Sequence, residues 1–247
     1  MSEIIWQKSL RPESDSVVED LTDETFELTI AKTKRILQES SKFPIPDPKA
    51  FRSMSRAAIF LSSLCMEIKP LIQSTLEKSP FAVGIYCAVE NGPIDGPTTK
   101  KIISGPVADF TPLYKKLRNP KMYLKQLPNL APAQLGISLG IQGVMNVYTH
   151  SRMGSLQALE QAEEDLWNDR VKLALVCSAH AFDDFVVIAR TRKFDERILS
   201  EGAAALLLTK NTEKTLWNKK FRDDPHESFG ISNQLVHLIQ SKTGVSQ

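Results

Sequence analysis

The feature that most constrains the fold of this chain is a sharp turn between a short apolar segment and an amphipathic helix. Residues 144–148 have the length and composition of a β-strand, and residues 154–167 repeat apolar side chains at helical spacing. The apolar face of this helix consists of Leu156, Leu159, Ala162 and Leu166. A strand that turns directly into a helix places the residue at the bend beside unpaired N–H groups, which favour an anion or a thiolate. In this chain the bend carries Arg152.

Three continuous apolar runs have strand length: residues 81–89, 173–179 and 202–209. Runs of this kind are typical of strands covered on both faces of a sheet. Because they alternate with helical segments, they predict a layered α/β domain with a largely parallel central sheet. A chain of 247 residues is long enough for one large domain or two small ones.

The remaining segments have weaker patterns. We predict a short strand at Ile4, Ile5 and Trp6, a surface loop over 11–23, and a helix over 24–40 with Phe26, Ile30 and Leu37 on its apolar side. We further predict a long helix that begins near Asp47 and is buried over 57–64, a helix over 129–139, and a helix over 234–241 capped by Ser232. Short helical or irregular pieces over 107–116 and 120–128 would supply Phe110, Leu113, Tyr114, Met122, Tyr123 and Leu124 as apolar contacts.

Composition restricts the function only weakly. The net charge of +2 offers no argument for nucleic acid or an anionic membrane as a partner, although a basic patch can still exist locally. Cys65, Cys87 and Cys177 are widely spaced within apolar segments, which predicts buried, reduced thiols. The N-terminal residues do not resemble a signal peptide, and no apolar run approaches the roughly 20 residues that span a bilayer. We therefore expect a cytoplasmic protein.

Metal binding is not indicated by the histidines. His180, His226 and His237 lie far apart, and no cysteine or carboxylate stands at ligand spacing from them. We expect no metal and no cofactor.

Several motifs together resemble the β-ketoacyl synthases of the thiolase superfamily. Their pattern is N-x-x-A at a helix, G-[IL]-x-G before a strand and T-A-C-x-S-S-L at the bend. Here Asn129, the run 140–143 (GIQG) and the pair Ser155 and Leu156 match without a gap, while Pro132 replaces the alanine. The resemblance extends to residues 52–56, similar to an R-x-M-x-R segment, and to 201–208, similar to an E-G-A-A-A-x-x-L strand.

The resemblance implies a thiolase-like fold in which this chain holds the N-terminal half, as a single ketosynthase N-terminal-like domain over residues 1–247. It also places Arg152 where the family has its acyl-accepting cysteine. The second half of the family supplies two histidines and a lysine that assist decarboxylation, and this chain shows no counterpart of them. Ser228, Phe229 and Gly230 offer only a loose echo of the family's glycine-rich turn.

A ketosynthase-like chain without the cysteine resembles the chain length factors, which are silent partners of an active synthase. The implied role is a heterodimer subunit in type II polyketide, aryl polyene-like or fatty acid biosynthesis, with substrates carried on acyl carrier protein. The implied dimer strand consists of Val144, Met145, Asn146, Val147 and Tyr148. If left unpaired, that strand would form a hydrophobic sheet edge prone to aggregation. Arg152 is expected at a buried or interfacial position.

Met122 and Tyr123 fall, by the same resemblance, where ketosynthases place an apolar residue that reaches into the partner's acyl pocket. Such a residue limits chain length by filling volume in a close-packed site. Alternatively, both side chains fill the core of this chain.

Two functions of other classes remain open from the sequence. One is an acyl thioesterase or acyltransferase that uses Ser151 or Ser155, against which Arg152 and the absence of a base argue. His150 beside Ser151 suggests a Ser-His pair, but neighbouring residues at a strand end diverge and no third group is identifiable. The other is a homodimeric scaffold protein without a synthase partner.

Overall fold

The computed structural model of the chain describes residues 2–13, 15–23, 28–36, 53–90, 92, 95–182, 197–211 and 224–242. Its strands are β1 Ser2–Leu10, β2 Glu19–Asp23, β3 Leu28–Lys34, β4 Val83–Val89, β5 Met145–Tyr148, β6 Leu173–His180, β7 Ile198–Ser200, β8 Gly202–Lys210 and β9 Glu227–Ser228. Its helices are α1 Arg56–Cys65, α2 Lys69–Lys78, α3 Gly96–Ile103, α4 Phe110–Leu117, α5 Pro120–Gln126, α6 Leu130–Leu139, α7 Gly154–Trp167 and α8 Asn233–Lys242.

The main sheet has five strands in the order β1-β8-β6-β4-β5. β4 pairs in parallel with both of its neighbours, β5 and β6, whereas β8 pairs antiparallel with β6 and with β1. The three predicted apolar strands are confirmed as β4, β6 and β8, and every residue of β4 and β6 is buried. The sheet is therefore mixed, and its parallel part is the half that ends in β5.

Helices cover both faces of this sheet, as expected for strands that are apolar throughout. One face packs on α1, α2 and α6, and the opposite face packs on α7 and α8. The prediction that 57–64 form a buried helix is confirmed by α1, whose start is capped by the Ser55 hydroxyl, which accepts the N–H of Ala58 at 3.2 Å. The predicted start near Asp47 lies outside the described residues. Cys65, Cys87 and Cys177 are free and buried, as predicted.

The predicted helix over 24–40 is wrong where the structure describes it. Residues 28–34 form β3, which pairs with β2 and, in parallel, with β7 near Leu199. The predicted loop over 11–23 is likewise replaced by β2 at its end. The β-branched residues Thr29, Ile30 and Thr33 favour a strand, and β7 provides a partner far along the chain. Phe26 and Leu37 lie outside the described residues.

Near the C-terminus, α8 confirms the predicted helix over 234–241. Ser232 lies in a 3₁₀ turn, Gly230–Ser232, just before it. Its hydroxyl donates to the carbonyls of Phe229 at 2.7 Å and Gly202 at 3.2 Å. Ser232 thus ties the start of α8 to β8.

Candidate functional site

The GIQG motif places β5 against the sheet. Gly140 follows the last residue of α6 with φ of 77°, the left-handed conformation that ends many helices. Gly143 then passes so close to β4 that a Cβ on it would overlap the carbonyl oxygen of Val83. The first glycine therefore ends the helix, and the second lets the chain enter β5 beside β4.

We expect Gly143→Ala to push β5 away from β4 and lower the free energy of unfolding by about 1–3 kcal/mol, the usual cost of overpacking. Denaturant unfolding measures the loss. Gly140→Ala is the matched control, because a Cβ there meets no atom within 4 Å and only the backbone is strained. If Gly143→Ala is as stable as the native chain, the close approach does not set the position of β5.

β5 is the outer strand of the sheet among the described residues. The N–H of Ile85 donates to the carbonyl of Val144 at 2.8 Å. Since alternate residues of a parallel strand face opposite neighbours, Asn146 and Tyr148 turn their backbone groups toward β4. The N–H and carbonyl groups of Met145 and Val147 face outward. β5 thus presents a backbone edge to which another strand can be added.

The bend after β5 is organised by His150. The Nδ1 atom of its ring accepts the N–H of Met153 at 3.1 Å and that of Arg152 at 3.4 Å. Its carbonyl accepts the N–H of Gly154, the first residue of α7, at 2.7 Å. His150 therefore acts as a cap for the turn, and its Nδ1 atom is already engaged with these two N–H groups.

Arg152 lies at the bend, as predicted, and is exposed on this chain. It is not buried within the chain, and an interfacial position stays a prediction. Its guanidinium stays protonated in proteins and cannot act as a nucleophile. The bend therefore offers no nucleophile at residue 152.

The two serines considered as nucleophiles differ in accessibility. Ser155 is fully buried, and its hydroxyl donates to the carbonyl of Ile231 and lies 3.1 Å from the hydroxyl of Ser178. A substrate cannot reach it without opening the contact between α7 and β6. Ser151 is partly exposed, but its neighbour His150 is engaged with the backbone.

His180 ends β6 at the same edge of the sheet as the bend. It is 2 % exposed, and burial lowers its pKa to about 4, so the ring is neutral at physiological pH. The backbone of Gly230 packs directly on the ring. Among the described residues, no group of three or more His, Cys, Asp or Glu side chains is placed to hold a metal ion.

Glu201, the first residue of the segment similar to E-G-A-A-A-x-x-L, is the centre of a buried hydrogen-bond network. Its Oε1 accepts from Arg56 Nε at 2.7 Å and from the N–H of Phe182 at 3.1 Å. Its Oε2 accepts from Arg56 Nη2 and from the N–H of Ile36, both at 2.9 Å. The carboxylate thus joins the end of β3, the start of α1, the end of β6 and the start of β8.

The predicted gate residues lie on α5, in which no residue is buried. Met122 is half-buried, whereas Tyr123 is 58 % exposed and its hydroxyl lies 3.4 Å from that of Tyr114 on α4. The alternative in which both side chains fill the core of this chain is therefore wrong for Tyr123. Phe110 and Leu124 are 49 % and 44 % exposed, and the ring of Phe110 stacks on that of Tyr114, which is one of its expected apolar contacts.

No protein family model matches the chain, and no curated protein matches it in sequence. Solved structures do match. A chain of the ketosynthase ApeO in complex with its chain length factor ApeC, from Xenorhabdus doucetiae, superposes with a TM-score of 0.63 at 12 % identity. The match covers 86 % of this chain and 58 % of that one.

Two further solved structures also match the fold of this chain. The complex AntDE:AntF, a type II polyketide synthase acyl carrier protein with its ketosynthase bound to the hexaketide, gives a TM-score of 0.57 at 17 % identity, covering 74 % of this chain and 53 % of that one. A β-ketoacyl synthase from Burkholderia phymatum gives 0.53 at 15 %, covering 73 % and 48 %. This chain thus spans about half the length of the proteins it matches. It has the thiolase-like fold of the ketosynthases, as a half-length form.

Proposed function

We propose that the chain is a catalytically silent subunit of the chain length factor type, which pairs with an active ketosynthase and shapes its acyl tunnel. In this role residues 1–247 act as one ketosynthase N-terminal-like domain in the cytoplasm. The partner condenses acyl units delivered by acyl carrier protein, in a type II polyketide, aryl polyene-like or fatty acid system. The chain itself contributes no nucleophile.

One observation carries this proposal: the open edge of β5 leads directly into a catalytic-type elbow that holds Arg152. Met145 and Val147 turn their backbone groups outward, so a strand of the partner can extend the sheet there. The bend then lies next to the subunit boundary, where exposed Arg152 can be covered. The fold shared with ketosynthase and chain length factor complexes supports the same assignment.

Catalytic silence is tested with three samples: the purified chain, its ketosynthase partner and the complex of the two. We expect condensation of carrier-bound malonyl units by the complex and no thioester turnover by the chain alone. Arg152→Cys should leave the chain alone inactive, because the assisting histidines and lysine are also missing from its sequence. Thioester hydrolysis by the native chain, lost in Ser151→Ala, would instead establish the hydrolase alternative.

Met122, with Tyr123 beside it, is the proposed gate of the acyl tunnel. We expect Met122→Ala to lengthen the products of the complex and Met122→Trp to shorten them, because the side chain occupies volume the acyl chain would otherwise fill. Product lengths are measured by mass spectrometry. Leu124→Ala on the same helix is the control and should leave the lengths unchanged. An unchanged distribution in both Met122 variants would exclude it as the gate.

A further inference from the structure

Residues 96–127, here called the arm, connect β4 to α6 and place few side chains in the core. The arm consists of α3, a 3₁₀ turn at Val107–Asp109, α4 and α5. In α3 only Gly96 and Ile102 are buried, and no residue of the 3₁₀ turn, α4 or α5 is buried. The arm is therefore attached through buried residues at its start, while at its end the carbonyl of Gln126 accepts the N–H of Gly92 at 3.3 Å. Its other side chains are exposed or half-buried.

The arm nevertheless carries large apolar side chains. Val107 is 93 % exposed and Ile103 64 %. The rings of Phe110 and Tyr114 on α4 are stacked with centroids 6.4 Å apart. An exposed aromatic and aliphatic surface of this kind marks a binding site, because covering it removes apolar area from water.

The charged residues of the arm are almost all basic. It holds seven of the 31 basic residues of the chain but only one of the 29 acidic residues, Asp109. The net charge of the whole chain, +2, does not reveal this local excess of basic residues. The basic residues are Lys100, Lys101, Lys115, Lys116, Arg118, Lys121 and Lys125, and all but the half-buried Lys125 are exposed. The surface that covers the arm must therefore be negatively charged.

The type of basic residue helps to decide whether the arm binds an acidic protein or an anionic membrane. Six of the seven cations in the arm are lysines, and lysine is depleted at protein interfaces, where arginine is preferred. Clusters of four to eight lysines and arginines beside exposed aromatic and aliphatic side chains are typical of segments that lie on anionic membranes. No helix among the described residues is long and apolar enough to cross a bilayer, so such contact would be at the surface.

We propose that the arm binds the surface of an anionic lipid bilayer. Phe110 and Val107 enter the boundary between headgroups and acyl chains, and the lysines remain with the lipid phosphates. Long lysine side chains suit this arrangement, because their stems lie along apolar surface while their ammonium groups stay in water. The arm would hold the chain, and any subunit paired with it, at a membrane surface. Met122 and Tyr123 belong to the proposed gate and take no part in this contact, so the inference does not depend on the proposed synthase partner.

Vesicle flotation tests the proposal, because bound protein rises with the vesicles whereas aggregated protein sinks. The probes are vesicles of phosphatidylglycerol with phosphatidylcholine, and of phosphatidylcholine alone. The full chain, or its complex with a co-purifying subunit, should float with the anionic vesicles at about 0.1 M salt and be released near 1 M, where screening is short-ranged. It should not float with the neutral vesicles.

Matched variants assign the binding to the arm. Lys116→Ala/Lys121→Ala should weaken flotation by about 10-fold or more, since each lysine near an anionic surface contributes severalfold to affinity. Lys69→Ala/Lys78→Ala removes two exposed lysines of α2 and should change nothing. Phe110→Ser should weaken flotation at constant charge. None of the substituted residues is buried, so all variants are expected to fold.

Two outcomes would overturn the proposal. Absence of flotation with anionic vesicles at low salt would exclude a lipid surface and leave an acidic protein as the occupant of the arm. Equal loss of flotation in the arm pair and the α2 pair would show that total charge, and not the arm, causes binding.

Discussion

Replacing Glu201 with glutamine is expected to lower the free energy of unfolding by about 3–5 kcal/mol, the range for breaking a buried ion pair by removing one partner. The carboxylate is fully buried and accepts all of its hydrogen bonds from Arg56 and two backbone N–H groups. A glutamine amide places a donor where one of these donors already points. The remaining guanidinium, whose Nη2 also donates to the carbonyl of Ile36, then loses its ion pair with Glu201.

Denaturant unfolding of the purified chain measures this change. Glu67→Gln is the matched control: it removes a carboxylate that pairs with Lys8 at the surface, where ion pairs contribute about 0–1 kcal/mol. A Glu201→Gln variant as stable as the Glu67→Gln variant would show that the network is dispensable.

Val147→Pro is expected to weaken association with the ketosynthase partner by roughly 10- to 100-fold, because it removes an outward N–H and leaves an acceptor of the partner strand unsatisfied. Proline is tolerated in an edge strand where the lost N–H does not face the sheet. The chain itself should therefore remain folded. Titration of the partner with the purified variant, followed by native mass spectrometry, measures the loss.

Two variants separate backbone pairing from other effects. Val147→Ala shortens the side chain but keeps the N–H, so it should bind the partner more tightly than Val147→Pro. Asn146→Pro removes an N–H that faces β4 and should destabilise the chain itself. Partner binding by Val147→Pro at native strength would mean that β5 is not the intersubunit strand.

The elements predicted best from the sequence are those whose pattern is local. α7 spans the predicted residues 154–167, and β4, β6 and β8 match the three apolar runs to within two residues. An amphipathic repeat or a continuous apolar run records the environment of one element and needs no knowledge of its neighbours. The bend that carries Arg152 was likewise predicted from a local pattern, a short apolar run followed directly by an amphipathic helix.

The helix prediction failed over residues 28–34 because the deciding contacts are distant. Phe26, Ile30 and Leu37 fit a helical spacing, but Thr33 and Lys34 pair in parallel with Leu199 and Ser200. Pairing over such a separation leaves no trace in a short window of sequence. Tertiary pairing then outweighs local propensity.

Within the site, the sequence indicated the position of Arg152 but not the roles of its neighbours. The hydrogen bonds from the turn to His150 depend on ring geometry, and the pairing of Glu201 with Arg56 joins two separate motifs. Arg56 and Glu201 both lie in segments that resemble the ketosynthases. That shared resemblance was the sequence feature from which their pairing could have been predicted. The exposure of the arm was hidden because Phe110 and Leu124 have the composition of core residues.

The most direct test of the account is to tag the chain in its native host, purify it gently and determine the masses and stoichiometry of what accompanies it. The account predicts a full-length ketosynthase in equal amount, held in a heterodimer or a larger assembly of such pairs. Recovery of the chain alone, as a stable monomer or as a homodimer, would contradict the proposed function. A stable homodimer would instead establish the scaffold alternative.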